Sequence, residues 1–493
     1  MKKAKREHGS NSNDRLLDLP KDILHRILYF LYQEAAVRTS VLSKSWRYIW
    51  CTRPNLYFAD NDFKGNEHNF LLTVDNTLQR YRDQNLCLEE FDLHISMPCK
   101  YYSDHELVSL LEKWVPLLTS MGVKEFYFAI ILKDSVGVII DLPVILKAEP
   151  LRILCLYNCN LGRCTPENIP FVRLQELELI NVLIEKETLH KIITSCPLLT
   201  RLSLEDCEGL KTVKLEKKLH KYLKHFSFMK HDAHKTEECS IEIDVPTLET
   251  ISISGSKILF QCHKFCNLKS LSLFEVEICS NSIEQSQLLC IDTPNVEFFD
   301  YWEPVIPSIC CTPTSGRSNL RFHMRDDDVD DARSWFLRLS KLLQALRRSE
   351  ISLNIFHRSF EDVHIDEDDL VRDIMINGGN KPVTVENLEF NISHMSRVPY
   401  VLNGFFGICR PRNITPIWLW QGDWKREKLL RKLDDFLCNI EKMKASGNRE
   451  IWQDLEDLTV QEFDESRQNG NLYAWRGFQN LHYCRALIVF GFN

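Results

Sequence analysis

The chain has 493 residues, 44% hydrophobic and 26% charged, which is a composition that folds rather than one that stays disordered. Its 61 Lys and Arg against 69 Asp and Glu leave a net charge of -8, so the basic footprint of a general nucleic-acid binder is missing and no nucleic acid partner is expected. No apolar run approaches the roughly 18 residues that a membrane span needs, and no membrane partner is expected either.

The chain opens on "MKKAKREHGS", with Lys2, Lys3, Lys5 and Arg6 and no apolar stretch behind them. Residues 1–14 read as a disordered basic tail and not as a secretory or transit peptide, which places the chain in the nucleus, the cytoplasm or both. The basic cluster itself reads either as a nuclear address or as a solvated terminus. In such a compartment the 18 cysteines are expected as reduced thiols, and the sequons at Asn391 and Asn413 as unmodified. Cys155, Cys159 and Cys164, and Cys262, His263 and Cys266, lie close in sequence but lack the paired spacing of a closed zinc site, so neither metal nor cofactor is expected.

Residues 19–50, "LPKDILHRILYFLYQEAAVRTSVLSKSWRYIW", concentrate apolar side chains. Pro20 suits a helix start, with Asp18 and Asp22 near the positive end of the dipole. Ile23, Leu24, Ile27, Leu28 and Leu31 then form a stripe wider than one helix pairing needs. A second helix carries Ala36, Val37, Val41 and Leu42, and Ser43 can cap a third with Trp46, Ile49 and Trp50. About 35 residues is too little for a self-sufficient core, so something else must cover this surface.

The motifs L-P, I-L, I-L, A-V-R-T-S-V-L-S-K and W-R-x-x-W, from about Leu16 to Trp50, resemble the F-box of plant F-box proteins with leucine-rich repeats. Tyr32, where relatives often have proline, and Ala35, where a charge is usual, are departures that remove no anchor. The resemblance implies an F-box at 15–55 that docks onto a Skp-family adaptor, and through it onto a cullin and a RING protein. It implies an adaptor-binding role for Leu19, Pro20, Ile23, Leu24, Ile27, Leu28, Val41 and Leu42, and a supporting one for Trp46 and Trp50 at the junction to the repeats. Leu19 to Leu28 are then expected to be unusually exposed in the chain alone.

After a linker helix region at 56–84, the hexad L-x-x-L-x-L recurs through 85–310. It reads "LRILCL" from Leu151, "LQELEL" from Leu174, "LTRLSL" from Leu199, "LKHFSF" from Leu223, "LETISI" from Leu248, "LKSLSL" from Leu268 and "VEFFDY" from Val296, with weaker copies at Leu88 and Val123. Steps of 20 to 28 residues fit the leucine-rich-repeat window, and Cys159 and Cys207 take its N/C position. Alternation inside each hexad means a short strand, followed by a helical or irregular return such as "IEKETLHKIITSCP", which Pro197 ends. The x positions, among them Glu176, Glu178, Arg201 and Ser203, line the open sheet face, and no substrate-binding residue is singled out among them.

Residues 311–380 continue the repeats with a helix around Trp335 and Phe336 and with acidic loops "RDDDVDDARS" and "FEDVHIDEDD". The first is no calcium loop, because Asp331 replaces the turn glycine and Leu337 the bidentate glutamate. Residues 381–493 read as C-terminal repeat-like units, at "VENLEF", "ITPIWL", "LEDLTV" and "CRALIV", with a helix in "KREKLLRKLDDFLCNIEKM"; the extra domain that often closes the plant relatives is not matched there. The expected fold class is α/β, a three-helix F-box followed by an irregular leucine-rich-repeat solenoid.

No phosphate-binding loop, nucleophile elbow or zincin motif occurs, and no catalytic residues are nominated. The resemblance implies a non-catalytic substrate receptor of an SCF-type E3 ubiquitin ligase, with the repeats holding an unknown protein substrate. The alternatives are an adaptor-binding scaffold outside ubiquitin transfer and a small-molecule-dependent receptor.

Overall fold

The computed structural model describes residues 19–63 except 32, 67–96, 104–130, 140–161 except 142, 169–231, 238–279 except 263, 293–307 except 304, 316–323, 332–356, 382–390, 398–416, 435, 438, 440–442, 445, 455–462, 472–474 and 486–492. The basic tail, Cys164, His263, Asn391 and the second acidic loop lie outside these residues, as does the first acidic loop up to the helix start at Ala332. The fold class is α/β, an F-box-type helical segment followed by parallel strands in leucine-rich-repeat order. The chain divides into two compact units, Met1–Leu210 with Leu219–Leu223, and Lys211–Lys218 with Lys224–Asn493.

The first unit begins with helices α1 (Lys21–Tyr29), α2 (Gln33–Ser40) and α3 (Lys44–Cys51). Strand β1 (Asn55–Ala59) then precedes α4 (Glu67–Asp83), β2 (Glu90–Ile95), α5 (Asp104–Met121) and β3 (Glu125–Ile130). Short strands β4 (Ile140–Asp141) and β6 (Cys159–Asn160) pair with each other, and β5 (Ile153–Tyr157), β7 (Glu176–Ile180), α6 (Lys186–Thr194) and β8 (Arg201–Glu205) complete the unit. Strands β1, β2, β3, β5, β7 and β8 pair in that order, all parallel. The segment 56–84 is therefore not only a linker helix. Leu56 and Phe58 alternate inward, and β1 joins the sheet as its first strand.

From Leu88 to Val296 each hexad becomes a strand from its third residue. In "LQELEL", Leu174, Leu177 and Leu179 are buried, while Glu176 and Glu178 face out. The leading leucine closes a turn, its N-H donating three residues back, as Leu174 does to Phe171 O at 3.2 Å and Leu199 to Cys196 O at 3.1 Å. The next residue donates to the preceding unit, Gln175 N to Arg152 O at 2.8 Å and Thr200 N to Gln175 O at 2.7 Å. These bonds satisfy the backbone of the bends and fix each unit to its neighbour. At the far end of the strands Asn158 and Asn181 take left-handed φ of 54° and 51°; Asn181 Nδ2 donates to Asn158 Oδ1, and Asn158 Nδ2 to Ile130 O. Cys159 and Cys207 are buried here as packing residues, and burial pushes the Cys159 thiol far up.

In the second unit β10 (His225–Met229), β12 (Thr250–Ser254), β14 (Ser270–Phe274), β16 (Phe298–Glu303), β17 (Arg317–His323), β18 (Glu350–Phe356), β19 (Val383–Phe390) and β20 (Cys409–Pro416) again pair in order and in parallel. The return segments here depart from the expected helical or irregular form. Four of them hold short strands, β9 (Thr212–Glu216), β11 (Ser240–Asp244), β13 (Lys257–Phe260) and β15 (Glu277–Ile278), which form a second parallel sheet. Ile241, Ile243, Ile258 and Phe260 alternate inward with period two, so these stretches bury one side as strands instead of a helical stripe. Helices α7 (Ala332–Ala345) and α8 (Val398–Ile408) pack through aromatic rings, Phe336 against Phe405 at 5.2 Å between centroids, so the Trp335 stripe is core.

Strands β21 (Leu455–Glu462), β22 (Leu472–Ala474) and β23 (Ala486–Phe492) depart from the repeat pattern. β23 runs antiparallel to both β20 and β21, and β22 antiparallel to β21. The hexads from Leu455 and Cys484 are thus strands but not repeat units, because an antiparallel pair needs no crossover to return the chain. The strand expected within "ITPIWL" ends at Pro416, and "KREKLLRKLDDFLCNIEKM" lies largely outside the described residues, with Ile440 buried. Among the described residues no helix is long and apolar enough to cross a membrane.

Candidate functional site

The three opening helices pack on one another around Leu24, Leu28, Ala36, Trp46 and Ile49, with Ile27 and Trp50 against the rim of that cluster. Pro20 O accepts the first helical N-H bonds, from Ile23 at 3.0 Å and Leu24 at 3.1 Å, so the proline stands just before α1 and not within it. Ser43 caps α3 as its position suggested, its Oγ accepting from Trp46 N at 3.1 Å. His25 Nε2 lies 3.2 Å from Ile49 O, tying α1 to α3; burial is the main cause holding its pKa below the ordinary value, with Lys21 adding to it.

The structure divides the residues singled out in the sequence. Leu19, Pro20 and Ile23 are exposed, Val41 and Leu42 at 81% and 70%, and Ile27 is half-buried. Leu24 and Leu28 are buried at 2% and 3%, which corrects the expectation that the whole run from Leu19 to Leu28 faces out. The reason is helical geometry. Ile23 and Ile27 form one stripe and Leu24 and Leu28 another about 100° round the helix; the second lies within the cluster of Trp46 and Ile49, and the first reaches its rim through Ile27. Trp46 is inside the cluster. Trp50 lies under the Arg53 guanidinium, 3.4 Å from its ring centroid, and Arg53 Nη1 donates to Trp50 O at 2.9 Å.

That stack continues into α4. Tyr81 Oη donates to Arg53 O at 2.8 Å, and Arg80 Nη2 to Cys51 O at 3.4 Å. Burial pushes the Tyr81 phenol up to about 12, so it remains a donor, and brings Arg53 down only to about 10, so it remains a cation at neutral pH. Trp50 and Arg53 thereby connect the helical segment to the first repeat.

Sequence reasoning passed over Tyr29, Phe30 and Tyr48, which the structure also leaves exposed, Phe30 at 73%, as it does Val37 of the second helix. For Tyr29 and Phe30 the signal was present: once Leu24 and Leu28 take the inward stripe, the residues one and two positions on fall outside it. The result is a small filled core with at least nine large apolar side chains outside it: Leu19, Ile23, Tyr29, Phe30, Leu31, Val37, Val41, Leu42 and Tyr48. Such a surface performs no bond chemistry. It can bind an apolar partner face.

The F-box domain family matches residues 16–58, and the family described as FBD-associated F-box protein At5g56370, LRR repeats, matches residues 111–264. F-box/LRR-repeat protein 13 of Arabidopsis thaliana is 28% identical over 261 residues, 51% of this chain and 54% of that protein. F-box/FBD/LRR-repeat protein At1g13570 of the same plant is 30% identical over 203 residues, 40% of this chain and 46% of that protein. The chain spans about half the length of the curated relatives it matches.

Proposed function

Because the chain carries an F-box domain and leucine-rich repeats, and so belongs with the F-box/leucine-rich-repeat proteins, we propose that it is the substrate-recognition subunit of an SCF-type cullin-RING E3 ubiquitin ligase. The three-helix segment docks onto a Skp-family adaptor, and the repeats hold a protein target near the charged conjugating enzyme. Acceleration comes from proximity supplied by the scaffold, and the chain itself contributes no reacting group.

The observation that carries this reading is the filled core with apolar residues outside it. Leu24, Leu28, Trp46 and Ile49 already satisfy one another, so Leu19, Ile23, Val41 and Leu42 have no stabilising task within the segment. The adaptor contact is assigned to Leu19, Pro20, Ile23, Ile27, Val41 and Leu42, with Phe30 and Val37 added to it. Leu24, Leu28 and Trp46 act beneath that surface by holding the helices, and Trp50 by bracing them to the first repeat.

Co-purification tests it. Full-length chain expressed with a Skp-family adaptor and a cullin recovers both, and Leu19→Ala with Pro20→Ala, or Val41→Ser with Leu42→Ser, loses both while melting as before. Adaptor recovery without cullin favours the scaffold reading, and undiminished recovery by both variants removes the adaptor assignment.

A further inference from the structure

The two units dress the open faces of their parallel sheets differently. In the second unit Glu350 pairs with Arg317 and Glu386 with Arg412, each at 3.1 Å, while burial raises the carboxyls of Asp300 and Glu389 and nearby Arg321 offsets part of that rise. In the first unit Glu90, Asp92, Glu125, Glu176 and Glu178 occupy the open face of β2, β3 and β7. Asp92 meets His94 at 2.7 Å and Glu176 meets Arg201 at 3.4 Å, but Glu90, Glu125 and Glu178 have no cation within ion-pair distance among the described residues.

These carboxylates are also not simply solvated. Glu90 stands directly beside Glu125 across the parallel register. Burial first, then Glu125 and Asp92, push its carboxyl up to about 7. Tyr57, Tyr127 and Tyr157 are interleaved on the same face, Tyr127 Oη donating to Glu125 at 3.4 Å and Tyr157 Oη to Glu178 at 3.4 Å. Half-buried carboxyl groups that lack counter-charges, set among aromatic rings, complement a cation whose stem covers the rings and whose head meets the acids and draws off the Glu90 proton.

We propose that this face docks a basic extended segment of the target protein, with Arg or Lys side chains reaching Glu90, Glu125 and Glu178 and lying over Tyr127 and Tyr157. The inference rests on the receptor reading and adds to it the chemical class of what is received. Six strands at about 4.8 Å spacing span roughly 24 Å, the length of about seven extended residues.

The probe is a fluorescein-labelled octapeptide alternating Arg and Thr, read by anisotropy on the full-length chain, with a peptide carrying Glu for each Arg as its counterpart. The expected result is binding of the Arg peptide alone, weakening as salt is raised. Glu90→Gln with Glu125→Gln is expected to weaken it at least about fivefold with the thermal transition retained, and Glu350→Gln in the second unit to leave it unchanged. Equal binding of both peptides, undiminished affinity in the double variant, or an equal loss in Glu350→Gln overturns the proposal. Adaptor recovery measured on the same proteins separates the two readings: recovered adaptor without peptide binding removes this inference alone, and charge-dependent peptide binding without adaptor removes the receptor reading alone.

Discussion

The three-helix segment and the parallel sheets use the same side chains to opposite ends. In the sheets, period two sends Leu177 and Leu179, or Ile251 and Ile253, inward, and most outward positions are polar or amphipathic, with Ile153, Ile180 and Phe274 half-buried among them. In the helices, the stripe of Leu24 and Leu28 closes a small cluster, and Ile23, Val41 and Leu42 remain outside it. A repeat adds a neighbour for every face it creates, whereas a segment of about 35 residues has more apolar surface than interior. Exposure in the helices is thus a property of the segment that stacking does not remove.

The largest effect that tests this contrast is expected inside the sheet. Phe128→Ala empties a fully buried position and should lower unfolding stability by about 3 to 5 kcal/mol in a denaturant titration. Leu28→Ala should cost about 2 to 4 kcal/mol, seen as earlier loss of helical signal and of adaptor recovery together. Gly255→Ala should cost about 2 to 3 kcal/mol by thermal melting, since Gly255 has φ of 67° and an added Cβ would stand 2.5 Å from Lys230 O.

Glu90→Gln works in the other direction. Its folded pKa, about 7, lies above the ordinary 4.5, so the protonated group's contribution is complete below 4.5 and is lost as pH rises through 7. The variant should be more stable than the parent above pH 7 by roughly 1 kcal/mol, discounted for solvent screening, and equal to it near pH 4. Smallest of all, Leu42→Ser should move stability by less than about 0.5 kcal/mol while lowering adaptor recovery. If Leu28→Ala and Leu42→Ser prove alike in stability, the contrast between helices and sheets falls.

The repeat strands were legible because a hexad records burial directly. From Leu151 to Val296 each copy yields a strand starting two residues in, as "LTRLSL" does at Arg201. The second sheet was not legible in that way, since "TVKLE" and "KILF" alternate over only four or five residues between stronger signals. The antiparallel end was hidden for a different reason: strand direction is a matter of connection, and "LEDLTV" carries the same alternation whichever way its partner runs. In the candidate site, the residue types were readable but their sides were not. Ile23 and Leu24 are neighbours of similar chemistry, and only packing against Trp46 and Ile49 decides which one is outside.

The amide pair Asn158 and Asn181 gives the first unit an index mark at the ends of β5 and β7. With that mark and the bend bonds from Gln175 and Thr200 holding both ends of a strand, what lies between one strand and the next is free to change length without shifting the rows of outward side chains. The steps of 23 and 25 residues from Leu151 to Leu174 and on to Leu199 then count as tolerated wording between fixed punctuation. New return segments can be exchanged in such a scaffold while the face that meets a target keeps its spacing.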